Sequence, residues 1–291
     1  MTLPLQHQVT LVTGASRGIG RGVALGLGEA GATVYVTGRT LSGRSAHLPF
    51  LAGNLEDTAQ EVTRLGGVGI PVYCDHTDDA HTQAVIDRIQ AEHGRLDVLV
   101  NNVWGGYEGL HLWDERGAAW SAPFWAQPTS IWDDMFAAGV RAQYVTSQRA
   151  APLLIKSRGL VISISFFAAT RHQGTENIPY FLAKGATDRM ALALANHLRP
   201  HGVTSLSLYP GLVRTEAVLH APAGTFDFSN SESPQFIGRA VAALASDPAV
   251  FALTGQVLVA AELGEHYGFT DVDGTRPKSL RAEWEGPPAV R

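Results

Sequence analysis

The chain has 291 residues, 45% of them apolar and 17% charged, with a net charge of −5, which is length enough to bury a core without staples. Its mild acidity, with no cluster of Lys or Arg, excludes nucleic acid as the expected main partner. One cysteine, Cys74, excludes an internal disulfide and a cysteine-built zinc site, and eleven scattered histidines without ligand spacing predict no metal.

Residues 1–8 lack a basic signal-peptide start, and the longest uncharged stretch, 117–132, falls short of the ~20 residues a bilayer span needs. Neither secretion nor a membrane span is expected, and a reducing, cytoplasmic setting fits the single thiol. From there β-branched runs alternate with longer amphipathic stretches. The periodicity predicts strands over 9–13, 33–37, 68–74, 96–101, 159–165, 203–209 and 255–260. Helices are predicted between them, over 18–30, 54–66, 77–93, 130–156, 178–200 and 234–246. Strand runs such as VTLVTG and LVISIS are apolar on both faces, as in a parallel sheet covered on both sides. The pattern predicts an α/β fold, one doubly wound domain over 1–262 with a seven-stranded parallel sheet and helices on both faces.

The first strand runs into Thr13-Gly-Ala-Ser-Arg-Gly-Ile-Gly20 and then a helix. Gly14, Gly18 and Gly20 permit a tight turn whose backbone N–H groups, with Ser16, Arg17 and Ile19, face a pyrophosphate at the positive helix end. After the second strand stands Arg39, where a site preferring NAD usually has an acid for the ribose 2′-hydroxyl. Arg39 and Arg17 suit a 2′-phosphate instead, so NADP(H) is preferred; two solvated surface arginines are the bland alternative. Asp75, ending the third strand, is placed to accept from an adenine amino group or to cap the next helix.

Residues 103–129 carry four of the six tryptophans without helical or strand period. They suit an apolar pocket, a packed loop or an oligomer contact equally. Tyr180 and Lys184 lie four apart at the start of a predicted helix, on one face. A neighbouring ammonium pulls a phenol's pKa down from about 10, toward general acid–base use. After the sixth strand comes Pro210-Gly211-x-Val213-x-Thr215, opening an aperiodic stretch over 212–233 that reads as a lid. Residues 263–291 read as a polar tail without a core-sized apolar face.

In TGASRGIG, the Asn101-Asn-Val-Trp-Gly segment, Tyr180-x3-Lys184 and Pro210-Gly211-x-Val213-x-Thr215, the chain resembles the short-chain dehydrogenase/reductase family over roughly 8–262. GRLDVLVNN, Trp132-Asp-Asp and the YGFTDVDG tail resemble that family's member 1 subgroup. The resemblance implies a Rossmann-type oxidoreductase moving a hydride between nicotinamide and a carbonyl or secondary alcohol. Tyr180 would then be the general acid/base, with Lys184 aiding it and holding the nicotinamide ribose. It also implies that Pro210, Gly211, Val213 and Thr215 shape the nicotinamide pocket and that Asn101 braces the fourth strand beside the cofactor. A homodimer or homotetramer through helices 130–156 and 178–200 is implied as well.

Two positions depart from the family pattern. Its substrate-binding serine position on the fifth strand is Phe166. Ser165, one residue earlier, takes that role only if a bulge or twist re-aims it, and is otherwise a core serine. Gly139 stands where the family has a helix-kinking asparagine; it permits a kink and leaves room for water, but offers no side-chain hydrogen bond. An enzyme acting on an apolar carbonyl or alcohol is the leading expectation. A weakly catalytic NADP(H) sensor or scaffold is the alternative.

Overall fold

The computed structural model describes residues 3–43, 51–106, 120, 122–170 and 177–285. Seven strands form one parallel sheet: β1 (Val9–Thr13), β2 (Thr33–Gly38), β3 (Val68–Tyr73), β4 (Val98–Asn101), β5 (Leu160–Ile164), β6 (Thr204–Tyr209) and β9 (Val257–Val259). Their order is β3-β2-β1-β4-β5-β6-β9, parallel at every pairing. Chain direction across the sheet reverses between β1 and β4, which opens a crevice at the strands' C-terminal ends. The expected fold class is the one observed.

Because alternate strand residues face opposite sides, the sheet carries an apolar core on each face. One joins Val12, Val34, Val100 and Ile162 to helices α1 (Gly18–Glu29), α2 (Leu55–Arg64) and α8 (Pro234–Ser246). The other joins Leu11, Tyr35, Leu99 and Val161 to α3 (Asp79–His93) and α5 (Ala142–Ser157).

The helix expected over 130–156 is present but not regular: α4 (Ser130–Phe136) passes through a π-helical turn (Ala137–Arg141) into α5. The segment after β4 runs hard against it: a Cβ on Gly105 would stand 2.0 Å from the Asp134 carbonyl oxygen. Helix α6 (Ile178–Leu198) follows β5.

Beyond β6, the stretch read as a lid holds an unexpected two-stranded parallel sheet, β7 (Leu212–Val213) with β8 (Ser231–Glu232), joined through the short α7 (Glu216–Leu219). Two-residue strands are too short to show a period. The stretch from 263 is also more than a polar tail. Helix α9 (Ala260–Tyr267) crosses into it and buries Leu263. Buried Asp271 accepts from Ser233 N at 2.8 Å and Arg214 Nη2 at 3.1 Å. Helix α10 (Arg281–Glu285) is tied back by an Arg281–Glu262 ion pair at 2.9 Å. Polar anchors fix this segment, and they carry no hydrophobic periodicity. No described helix is long and apolar enough to cross a membrane, and among the described residues no metal-binding cluster of His, Cys, Asp or Glu occurs.

Candidate active site

A cavity of about 1270 Å³ opens along the C-terminal edge of β1, β2, β4, β5 and β6. Its first wall is the turn from β1 into α1. Gly14 and Gly18 have φ of +67° and +56°, a region that L side chains rarely adopt. A Cβ on Gly20 would meet the Gly14 carbonyl oxygen at 2.2 Å and Asn102 Nδ2 at 2.4 Å, so Gly20 lets the helix start tight against the turn rather than lining the cavity. Asn102 Nδ2 donates to the carbonyls of Thr13 and Gly14, at 3.0 Å each, and locks the turn to β4. The turn's affinity for an anion is visible: Gly18 N donates to a carboxylate oxygen of Glu216 at 2.8 Å. Backbone N–H groups at a helix N-terminus suit phosphate for the same reason.

Arg17, Arg39 and Asp75 line the same end. Arg17 is held by the carbonyls of Ala52 and Gly53 at 3.1 Å each and by Thr40 Oγ1 at 3.3 Å. Asp75 Oδ1 accepts from Thr77 N and Oγ1. Burial works to raise the Asp75 carboxyl, yet those bonds and the nearby Arg39 hold it below its usual value. The capping alternative for Asp75 falls instead to Asp78, whose side chain accepts from Ala80 N and His81 N.

At the other end, Asn177 caps α6 by accepting from Tyr180 N at 2.9 Å, with Pro179 in the first turn. That cap sets Tyr180 one turn into the helix, and Lys184 follows on the same face. Three rings surround the phenol ring: Trp104 at 5.4 Å, Trp120 at 5.3 Å and Phe166 at 6.4 Å between centroids. Lys184 Nζ donates to the Ile164 carbonyl at 3.3 Å and lies 4.6 Å from the centre of the Trp104 ring. Burial pulls its pKa down to about 8, and Asp188 opposes this. One turn further, burial pushes the Asp188 carboxyl up while Tyr209, which donates its hydroxyl to it, works the other way.

Ser165 is not re-aimed. β5 carries no bulge: Ser165 N continues its ladder to Leu208 O at 3.0 Å, and Ser165 Oγ donates to the Lys184 carbonyl at 3.3 Å, beside Asp188. Strand alternation therefore turns the hydroxyl to helix α6, and Phe166 takes the position facing Tyr180. The space expected at Gly139 is also taken: a Cβ there would lie 3.2 Å from the Trp104 ring.

Pro210, Gly211, Val213 and Thr215 line the cavity between these ends. Gly211 N donates at 2.8 Å to Glu232, a buried carboxylate that desolvation raises to about 7. Thr215 Oγ1 caps α7 by accepting from Val218 N at 3.3 Å. Leu280 and Trp284 of the C-terminal segment close the cavity, with Trp284 at 5.0 Å from Phe166.

Of the residues singled out from sequence, Gly14, Ser16, Arg17, Gly18, Ile19, Arg39, Asp75, Ser165, Tyr180, Lys184, Pro210, Gly211, Val213 and Thr215 line this one cavity. Gly20 and Asn101 do not. Asn101 is buried beneath it with Nδ2 donating to Ser147 Oγ at 2.8 Å, because alternation along β4 points it at α5 and leaves Asn102 facing the cavity. Trp284, Glu216 and Glu232 also belong to the site and carry no signal in the sequence. Each reaches the site from a segment without periodic signal. Of the aromatic stretch 103–129, residues 107–119 and 121 lie outside the described residues.

A family model described as short chain dehydrogenase matches residues 8–223. The chain is 40% identical over 288 residues to "Dehydrogenase/reductase SDR family member 1" of Mus musculus, covering 94% of this chain and 86% of that one. Among solved structures it is similar to a variant of a Serratia marcescens short-chain dehydrogenase/reductase, with 27% identity, a TM-score of 0.72, and 88% and 97% of the two chains covered. It is also similar to a metagenomic short-chain oxidoreductase in complex with NADP, with 28% identity, a TM-score of 0.68, and 88% and 97% covered.

Proposed function

The chain belongs to the short-chain dehydrogenase family, an oxidoreductase family acting on CH–OH and C=O groups, and we propose that it is an NADP(H)-dependent reductase of bulky, apolar carbonyl compounds. The observation that carries the reading is the Tyr180–Lys184 pair, opening into the same cavity as the glycine turn.

The bound cofactor supplies or takes up the hydride. Gly14, Gly18 and Ile19 offer backbone N–H groups and the α1 dipole to the pyrophosphate. Arg39, with Arg17, pairs with the 2′-phosphate that distinguishes NADP(H). Lys184 holds the nicotinamide ribose and its charge favours the Tyr180 phenolate. Tyr180 donates its phenolic proton to the substrate carbonyl oxygen in reduction and takes it back in alcohol oxidation. Trp104, Trp120, Phe166 and Trp284 give the substrate end an apolar, aromatic wall. Assembly as a homodimer or homotetramer fits the exposed Tyr144, Ile178, Leu182 and Leu192 on α5 and α6.

The test is NADPH fluorescence titration followed by turnover on a panel of quinones and aromatic ketones. Turnover with NADPH well above NADH is expected. Arg39→Ala is expected to lower kcat/KM for NADPH about 10- to 100-fold, the worth of one charge-assisted contact. Equal use of both cofactors, or an unchanged preference in that variant, overturns the NADP(H) assignment. Phe166 in place of a hydroxyl beside Tyr180 favours a second reading, a weakly catalytic NADP(H) sensor; tight NADPH binding without turnover on any carbonyl selects it.

A further inference from the structure

Lys184 is a half-buried cation with few polar neighbours. Its ammonium donates to one backbone carbonyl, that of Ile164 at 3.3 Å. Its next contact is the face of Trp104, 4.6 Å from Nζ to the ring centre, inside the ~6 Å over which a ring quadrupole attracts a cation. The same indole meets Tyr180 edge-on, at 5.4 Å and 80°. It has room because position 139 is glycine: a Cβ there would stand 3.2 Å from two of its ring carbons. Gly139 sits in the π-helical turn Ala137–Arg141, a local widening of the helix found often at functional sites.

We propose that Trp104 is a positioning residue that keeps Lys184 charged, with its indole face taking the place of polar solvation, and that Gly139 is present to admit that ring. The groups facing Lys184 are Tyr180 and Asp188 of its own helix, the Ile164 carbonyl of β5, and Trp104 from the segment after β4; Asp134 of α4 lines the same cavity. Asp188 favours the cation from behind, so Trp104 supplies the stabilising partner on the cavity side. The inference rests on the reading of Lys184 as the partner of Tyr180, but its test needs neither cofactor nor substrate.

The chain contains three lysines, Lys156, Lys184 and Lys278. Protein labelled with ¹³C at the lysine ε-carbons gives three resolvable signals, assigned with Lys156→Arg and Lys278→Arg. In the unsubstituted protein the Lys184 ε-protons are expected upfield of the other two, shifted by the ring current of the indole. Trp104→Leu keeps an apolar cover and removes the π face; the Lys184 titration midpoint should then fall by about one pH unit. Trp104→Phe, which keeps a ring, should stay closer to the unsubstituted value. A leucine midpoint equal to or above that of the unsubstituted protein overturns the inference. So does a Lys184 signal without upfield displacement, a readout that stands even if the leucine variant fails to fold. Failure of every carbonyl substrate would sink the proposed reductase and leave this titration intact.

Discussion

The two ends of the cavity are built by opposite means. At the cofactor end the backbone itself forms the surface: Gly14 and Gly18 in the left-handed region, with Gly20 pressed to within a Cβ's width of the turn. That turn comes from one run of eight residues. At the substrate end the surface is side chain, and it is gathered from afar: Trp104 after β4, Phe166 after β5, Tyr180 and Lys184 on α6, and Trp284 near the C-terminus. A backbone surface is intolerant of any added atom. A surface of rings from separate segments can change shape one segment at a time without disturbing the sheet.

Tyr180→Phe separates the two ends most sharply. It removes one oxygen from the substrate end and nothing from the glycine turn, so turnover should fall roughly 10²- to 10⁴-fold, the usual worth of a positioned acid–base group. NADPH affinity, read by fluorescence, should hold. Turnover within tenfold of the parent would mean that the proton comes from elsewhere. Gly20→Ala is the mirror experiment. The added carbon would overlap Gly14 O and Asn102 Nδ2, and overpacking of this kind costs on the order of 3 kcal/mol. A lowered Tm together with lost NADPH binding is expected; an alanine variant that binds NADPH normally would show the turn to be more plastic than its geometry.

Where the two ends join, Glu232 makes the site pH-sensitive. Its carboxyl is buried, accepts from Gly211 N, and is raised by desolvation from about 4.5 to about 7. The folded state therefore binds more protons than the unfolded chain between those values, and stability falls as pH rises through the window. Below it both states are protonated and no penalty applies; above it the penalty is complete, on the order of 3 kcal/mol. Glu232→Gln keeps an acceptor for Gly211 N and removes the charge. Its Tm should exceed that of the parent at pH 8 and match it near pH 4.5, and a constant difference across that range would assign the effect to packing instead.

The same contrast explains what was legible in the sequence. The seven strands of the main sheet and the glycine turn are contiguous patterns, and periodicity or spacing alone locates them. Tyr180 and Lys184 are legible because helical spacing fixes their relation. Asn101 is legible as a residue but not as an orientation, since one step along a strand decides which face a side chain takes; for Ser165 the same alternation already points away from the site unless a bulge intervenes, and β5 has none. Gly139 read as room for water because nothing local says that a tryptophan 35 positions earlier fills it. Trp284 sits in a stretch whose polar anchors are isolated contacts, Arg281 to Glu262 and Asn230 to the backbone of Lys278. Such contacts have no period at all.

Trp284 is thus the residue on which the adjustable character of the substrate end can be tested. It packs edge-on against Phe166, at 5.0 Å and 70°, and lies over Phe167 at 6.2 Å. Phe167 is fully buried while Phe166 faces the cavity, so Trp284 joins the cavity wall to the core behind it. One aromatic contact is worth about 0.5–1.5 kcal/mol, and 1.4 kcal/mol is tenfold in affinity. Trp284→Ala should therefore raise KM for a bulky aromatic ketone about three- to tenfold, with kcat and NADPH affinity held. A small carbonyl that never reaches this wall should show no change. Arg281→Ala leaves the ring in place but removes the anchor of α10, and should reproduce the same split between large and small substrates. If KM for both rises together, the C-terminal helix supports the fold as a whole, and the substrate end is as rigidly coupled to the sheet as the glycine turn.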